Sequence, residues 1–345
     1  MNFDDKNLIV EIDQSNFLSG ISNLDKKISL GWEYVTSQKK IKNNNFDQIC
    51  FWGFQELETE FDLLLELSKP DLDVSLRFLE EIYLPRWCKH SEQLIICLVD
   101  QKNIFQMERL LDAIRGTDQM IFVLELGDRY HFNNLKNMLG HWKLKEEAFS
   151  RTWIGYDLMI LYGLLYQLNL VADISNDVKR IEDEVARSLE FIDISVPSSH
   201  NPAKRLAGQM VGRWIKIIGG EITKPIAQRR SEQINKSAKH FSYAEDIHHL
   251  RHHTLSGIFY PENLVQQSMV VFLKSNLNDA YTESLIDRIK EELMCNGIGT
   301  DFYSIRGDTK FSQIWSSILF SDFVAYYLAI ANQCDPYPTA EIEIF

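Results

Sequence analysis

"NPAKRLAGQMVGRWIKIIGG", residues 201–220, contains a helix start and a strand within one short span. Asn201 followed by Pro202 predicts a helix N-terminus. An Asn side chain accepts the first free backbone N–H groups, and proline suits the first helical position, where its N–H has no intrahelical partner. "WIKIIGG" (214–220) then reads as a short apolar strand closed by two glycines. Helix into buried strand is the repeating step of an α/β protein, and the alternation recurs on both sides.

Upstream, "FDQICFWGF" (46–54), "EQLIICLVD" (92–100) and "DQMIFVLELGD" (118–128) predict buried strands. Helices are expected over "ELETEFDLLLELS" (56–68) and "NIFQMERLLDAIR" (103–115). "YDLMILYGLLYQLNLV" (156–171) is apolar nearly all round and predicts a core helix. Downstream, "SMVVFLKS" (268–275) and "DFYSIRG" (301–307) predict strands, and "ESLIDRIKEELMCNG" (283–297) an amphipathic helix stopped by Gly297. The aromatic run "FSDFVAYYLAI" predicts core packing. The expected architecture is two tandem α/β domains, each a mainly parallel sheet flanked by helices. A boundary is expected in "DISVPSSHNPAKRLA" (193–207), giving domains 1–192 and 193–345.

The chain has 345 residues, 45% of them hydrophobic, which is ample for folded cores. With 36 Lys and Arg against 49 Asp and Glu the net charge is −13, which argues against non-specific nucleic-acid binding and against an anionic membrane surface. The opening "MNFDDKNLIVEIDQ" lacks the basic n-region of a secretory signal. No apolar run reaches the roughly 20 residues of a membrane span. Five scattered cysteines without a CxxC pair fit reduced thiols, so a cytoplasmic protein is expected.

"RSEQINKSAKHFSYAEDIHHLRHHTLSG" (230–257) concentrates chemistry: His240, His248, His249, His252 and His253 fall within it, out of nine histidines in the chain. On a helix, His248 and His252, or His249 and His253, stand one turn apart and could chelate zinc with Asp246 or Glu245. No third ligand is fixed by a known spacing. Clustered histidines also suit a pH-sensitive interface. Arg229 and Arg230, near Lys224, Glu221 and Glu232, read as a solvated surface of mixed charge.

Several stretches, in order, resemble the bifunctional phosphoglucose/phosphomannose isomerases, which are built from two sugar isomerase (SIS) domains. "NPAKRLAGQMVGRWIKIIGG" looks like the start of that family's second domain. "AQRRSEQINKSAK" is similar to its Arg-Trp-Lys…Gln-Ile-Asn-Glu-Asn-x-Lys segment, and "HLRHHTLSG" to its Leu-Asn-His-Asn-Glu-Ile-Val-Gly. "SDFVAYYLAIANQCDPYP" looks like its ending. In the first half "YLPRW" (83–87) and "SRTWIGY" (150–156) are similar in position and character.

The resemblance implies a phosphosugar held by Ser/Thr hydroxyls and backbone N–H groups at a loop–helix junction. It further implies a histidine that opens the ring and a glutamate that moves a proton through an enediol. It implies no cofactor or metal, and a homodimer in which the histidine segment reaches a site shared between subunits. On this chain the histidine falls on His252, while the base position is Lys236. Lysine takes up a proton there only where burial strips its charge.

The family's first glycine-rich turn falls on "GFQELE" (53–58), which keeps only Gly53 and adds Gln55, Glu56 and Glu58. Its hydroxyl loop falls on "VDQKNI" (99–104), which adds Asp100 and offers Lys102 as a compensating charge. The chain stops at Phe345, where the family's Leu-Lys pair would begin. Candidate ligand contacts are Gly53, Lys102, Arg151, Asn235 and His253. The expectation is an abandoned isomerase reaction in a protein that binds a phosphorylated sugar or another small anion, or a partner. The alternatives are an enzyme of altered chemistry using His252 with Lys236, Glu232 or Asp246, and a structural subunit paired with an active paralogue.

Overall fold

A computed structural model describes residues 3–41, 45–53, 57–69, 72–79, 85, 92–101, 103–115, 117–127 and 137–339. In chain order the elements are α1 (Lys6–Ile12), α2 (Phe17–Ser22), α3 (Leu24–Ser37), β1 (Gln48–Trp52), α4 (Glu58–Ser68), β2 (Ser75–Leu79), β3 (Gln93–Val99), α5 (Ile104–Ile114), β4 (Met120–Leu126) and β5 (Met138–Leu144). There follow α6 (Ile154–Gln167), α7 (Ser175–Leu189), α8 (Pro202–Met210), β6 (Trp214–Gly219), α9 (Lys224–Ala238), β7 (Ser242–Asp246), α10 (Ile247–His252), α11 (Glu262–Gln266), β8 (Ser268–Lys274), α12 (Ala280–Cys295), β9 (Gly299–Ser304) and α13 (Lys310–Ala331).

The chain forms two compact units. Lys26–Val178 carries a five-stranded parallel sheet in the order β2-β1-β3-β4-β5. Side chains alternate between the faces of its strands. Cys50, Trp52, Ile95, Cys97 and Val99 bury against Met107, Leu110 and Ile114 of α5. On the other face Phe51 meets Phe61 of α4 edge-on at 5.4 Å, and α4 packs with α6. α6 is buried nearly throughout, which is why its sequence has no polar stripe.

The second unit, Met1–Asp25 with Lys179–Phe345, holds a four-stranded parallel sheet in the order β7-β6-β8-β9. One face carries α10 and α12, whose Leu250, Ile286 and Leu293 pack with Ile218, Val270 and Phe272. The alternate residues Ile217, Val271 and Leu273 bury on the opposite face, where α9 packs with β6 and both α8 and α9 pack with α13. α13 is long and apolar enough to cross a membrane, and 94% of that stretch is buried inside the protein.

Two boundary signals hold. The Asn201 side chain accepts the N–H groups of Ala203 and Lys204, both at 3.0 Å. Gly297 adopts φ +77°, and its N–H bonds Met294 O while Ile298 N–H bonds Leu293 O, a Schellman-type stop for α12.

The division of the chain falls elsewhere than 192/193, because Met1–Asp25 and Lys179–Ile192 gather with the second sheet. The fully buried Lys204 ammonium is one cause. It donates to Asp4 Oδ1 at 2.9 Å and to the carbonyls of Ile194 and Val196, tying the N-terminal stretch and the 194–196 stretch to α8. Tyr326 adds a hydrogen bond to Asp13 at 3.2 Å.

β2, β5 and β7 are strands the sequence pattern passes over. β2 and β7 lie at sheet edges and are half exposed, so apolar continuity is lacking; β5, also an edge, reads "MLGHWKL" with an internal glycine. β9 begins at Gly299 and ends at Ser304, three residues short of the expected end.

Candidate functional site at the two sheet switch points

In open parallel sheets ligands bind beyond the carboxyl ends of the strands, where successive connections leave in opposite directions. In the first sheet that point lies between β1 and β3. Gly53 ends β1 with φ +87°, and a Cβ there would sit 2.3 Å from Leu98 O and 3.1 Å from Asn103 Nδ2. Only glycine permits this approach.

Across the gap, Asp100 Oδ1 accepts the Asn103 N–H at 2.9 Å, and Asn103 Oδ1 accepts the Asp100 N–H at 3.0 Å. Asn103 Nδ2 donates to Leu98 O at 2.8 Å. A backbone N–H at the mouth of α5, the type of donor a phosphate would use, is thus taken by the chain's own carboxylate.

The second sheet repeats the arrangement between β6 and β8. Glu221, at φ +50°, directs its carboxylate to the mouth of α12. Its Oε2 accepts the Asp279 N–H at 3.1 Å and its Oε1 lies 3.5 Å from Thr282 Oγ1. Asp279 caps α12 by accepting the Thr282 N–H at 2.6 Å, which lowers the Asp279 carboxyl below its ordinary range. Both switch points therefore carry an internal acid where an external anion would dock.

His252 ends α10, is exposed, and its Nε2 lies 3.0 Å from the Arg251 guanidinium. His253 is exposed and caps the same helix through an N–H to His249 O. His248 stacks parallel on Tyr281 with centroids 6.2 Å apart, and His249 meets His253 edge-on. Among the described residues no group of three or more His, Cys, Asp or Glu side chains is placed to hold a metal ion.

Lys236 lies on α9, across the sheet from α10, so one chain does not bring it to His252. Asn235 exchanges two hydrogen bonds with the Ser242 backbone at 2.8 and 2.9 Å, which pins α9 to the start of β7. Glu232 accepts from Gln228, and Asp246 caps α10. Arg151 is half-buried in the turn before α6. Lys102, Gln55 and Glu56 lie outside the described residues.

Arg229 and Arg230 correct the expectation of a solvated mixed-charge surface: they are 2% and 0% exposed. α9 is pressed between its sheet and α13, and α13 supplies Asp322, whose two oxygens lie 3.2 and 3.1 Å from Arg229 Nη2. Among the described residues Arg230 has no carboxylate partner. Its Nε bonds Ser321 Oγ, and its guanidinium rests over Tyr303 and Phe320 at 4.8 and 5.3 Å. Burial lowers its pKa to about 10, and burial raises Tyr303 to about 12 against the pull of Arg230 and Arg306.

Residues 199–345 match the family model of the bacterial phospho-glucose isomerase C-terminal SIS domain. A bifunctional phosphoglucose/phosphomannose isomerase of Caldicellulosiruptor bescii is 26% identical over 197 residues, 56% of this chain and 58% of that protein, so the match spans less than two thirds of the relative's length.

Among solved structures, the C-terminal domain of a glucosamine-fructose-6-phosphate aminotransferase from Francisella tularensis superposes with TM-score 0.68 at 12% identity, covering 93% of this chain and 97% of that one. A glucosamine-6-phosphate deaminase from Thermotoga maritima gives 0.64 at 11%, covering 94% and 98%. At such identities the likeness is one of fold: parallel sheets flanked by helices, as in SIS-domain phosphosugar isomerases.

Glu221 was not singled out from the sequence as a site residue. Its signal is an acid directly after "IIGG", the loop between a buried strand and the next helix. The Asp-x-x-Asn spacing of Asp100 and Asn103 is likewise legible as a side-chain-to-backbone turn before a helix. Asp322, a lone acid within an apolar helix, signals a buried cation partner.

Proposed function

We propose that this phosphosugar-isomerase-like SIS protein no longer isomerises sugar phosphates and serves as a homodimeric binding or partner protein. The observation that carries the reading is the Asp100 carboxylate accepting the Asn103 N–H at 2.9 Å in the loop that resembles the family's phosphate loop. A phosphate entering there would compete with a covalently tethered acid and be repelled by it. Glu221 at the second switch point supports the same reading.

Loss of a positioned base forfeits about 10²–10⁴ in rate, and Lys236 stands at the position the resemblance assigns to that base. A reading in which Lys236 and His252 still act together requires two copies of the chain, because α9 and α10 cover opposite faces of their sheet.

Calorimetric titration with fructose 6-phosphate tests the proposal on the wild type and on Asp100→Ser, which exchanges the tethered acid for a hydroxyl. Little heat from the wild type and a clear gain in the variant would identify Asp100 as the stand-in for phosphate. Tight binding by the wild type, unchanged by the substitution, would contradict that assignment of Asp100.

A further inference from the structure

At the amino end of the second sheet, opposite its switch point, a cavity of about 390 Å³ opens beside the edge strand β7. Trp214 and Ser268, the first residues of β6 and β8, line it together with Tyr243 of β7. Its floor is Val270 and Leu293, fully within the core. At its mouth the Trp214 and Phe241 rings touch with centroids 4.0 Å apart, yet both stay substantially exposed, 42% and 57%. Exposed aromatics gathered at one opening mark a contact site, and the size falls within the range of about 300–1,000 Å³ for small-molecule pockets.

One polar cluster interrupts the apolar wall. Lys216 Nζ donates to Glu245 Oε2 at 2.7 Å and to Thr254 Oγ1 at 3.0 Å, and Thr254 in turn donates to Glu245. An ammonium has three N–H groups, so one is left without an oxygen partner among the described residues. The Lys216–Glu245 pair is neutral as a whole. An anionic ligand would bring an uncompensated charge into an apolar cavity, and a cationic one would face the ammonium.

We propose that this cavity binds an uncharged amphiphilic small molecule, its aromatic or alicyclic body lying against Trp214, Tyr243 and Val270 and a single carbonyl or hydroxyl oxygen accepting the remaining Lys216 N–H. The polar-tip, apolar-body arrangement is that of small-molecule sites, in which few polar groups set orientation. The site lies at the end of the second sheet opposite that sheet's switch point and is independent of the proposed function.

The uncharged naphthyl ketone prodan, titrated into the full chain and followed by fluorescence, tests it. Saturable binding with blue-shifted emission is expected. Gly257 lines the cavity, and a Cβ there meets nothing within 4 Å, so Gly257→Trp fills the space without straining the backbone. That variant should abolish binding. Lys216→Met keeps the apolar stem and removes the donor. It should weaken binding about tenfold or more, as loss of a charge-assisted hydrogen bond does, and shift the bound emission further to the blue.

Thermal melts of both variants confirm folding. Neutral naphthol should displace the dye, and naphthoate should do so poorly. Absence of saturable binding, binding that survives both substitutions, or equal displacement by naphthoate would each overturn the proposal.

Discussion

The side chains of Asp100 and Asn103 each accept the other's backbone N–H, at 2.9 and 3.0 Å, closing the turn between β3 and α5. Asn103 Nδ2 also donates to Leu98 O. Asn103→Ala should therefore cost roughly 2 kcal/mol, since it removes an acceptor of the turn and frees the Leu98 carbonyl together. Urea denaturation of the variant checks it, and a loss below about 0.5 kcal/mol would contradict this account of the turn.

Adjacent arginines on α9 should respond unequally. Arg229→Met leaves the Asp322 carboxylate buried, 5% exposed and without its guanidinium, and breaking such a pair costs about 3–5 kcal/mol. Arg230 is desolvated, and among the described residues it has no carboxylate and its Nη1 and Nη2 have no hydrogen-bond partner. Arg230→Met removes a cation whose charge burial disfavours, so it should change stability by less than about 1 kcal/mol or raise it. Denaturation midpoints decide. Equal losses at both positions would show that ring contacts, rather than charge pairing, hold this layer.

Much of the fold could be read in the residues, and the reason is burial. Strands covered on both faces, such as "QLIICLV" and "SMVVFLK", are apolar without interruption and announce themselves. "SYAED" has little to separate it from a loop, because an edge strand needs pairing on one side only. Gly53 was legible as a turn residue, but the 2.3 Å approach of Leu98 O that requires glycine comes from a strand more than forty positions away. The same long range hides Arg229. Local charge suggests a solvated face, whereas its partner Asp322 is 93 residues distant. His252 carries a resemblance at the level of sequence, but its surroundings in one chain are Arg251 and solvent.

The Asp4–Lys204 contact should make stability fall at acid pH. Asp4 is held below its ordinary value of 3.8, chiefly by the hydrogen bond from Lys204. A carboxyl with a depressed folded-state pKa contributes its stability above the unfolded value and loses it as pH drops through the folded one. Asp4→Asn should therefore be about 1 kcal/mol less stable than the wild type near neutrality, the low end for a partly exposed acid on a buried amine. The difference should vanish below the range in which Asp4 protonates. Denaturation at a series of pH values checks it, and a difference independent of pH would assign the effect to packing.

The most direct test of the abandoned-isomerase reading is turnover itself. Purified protein is incubated with glucose 6-phosphate and the appearance of fructose 6-phosphate is followed, with His252→Ala alongside. The account predicts no interconversion above buffer and no difference between the two proteins. Interconversion by the wild type that His252→Ala abolishes would contradict it.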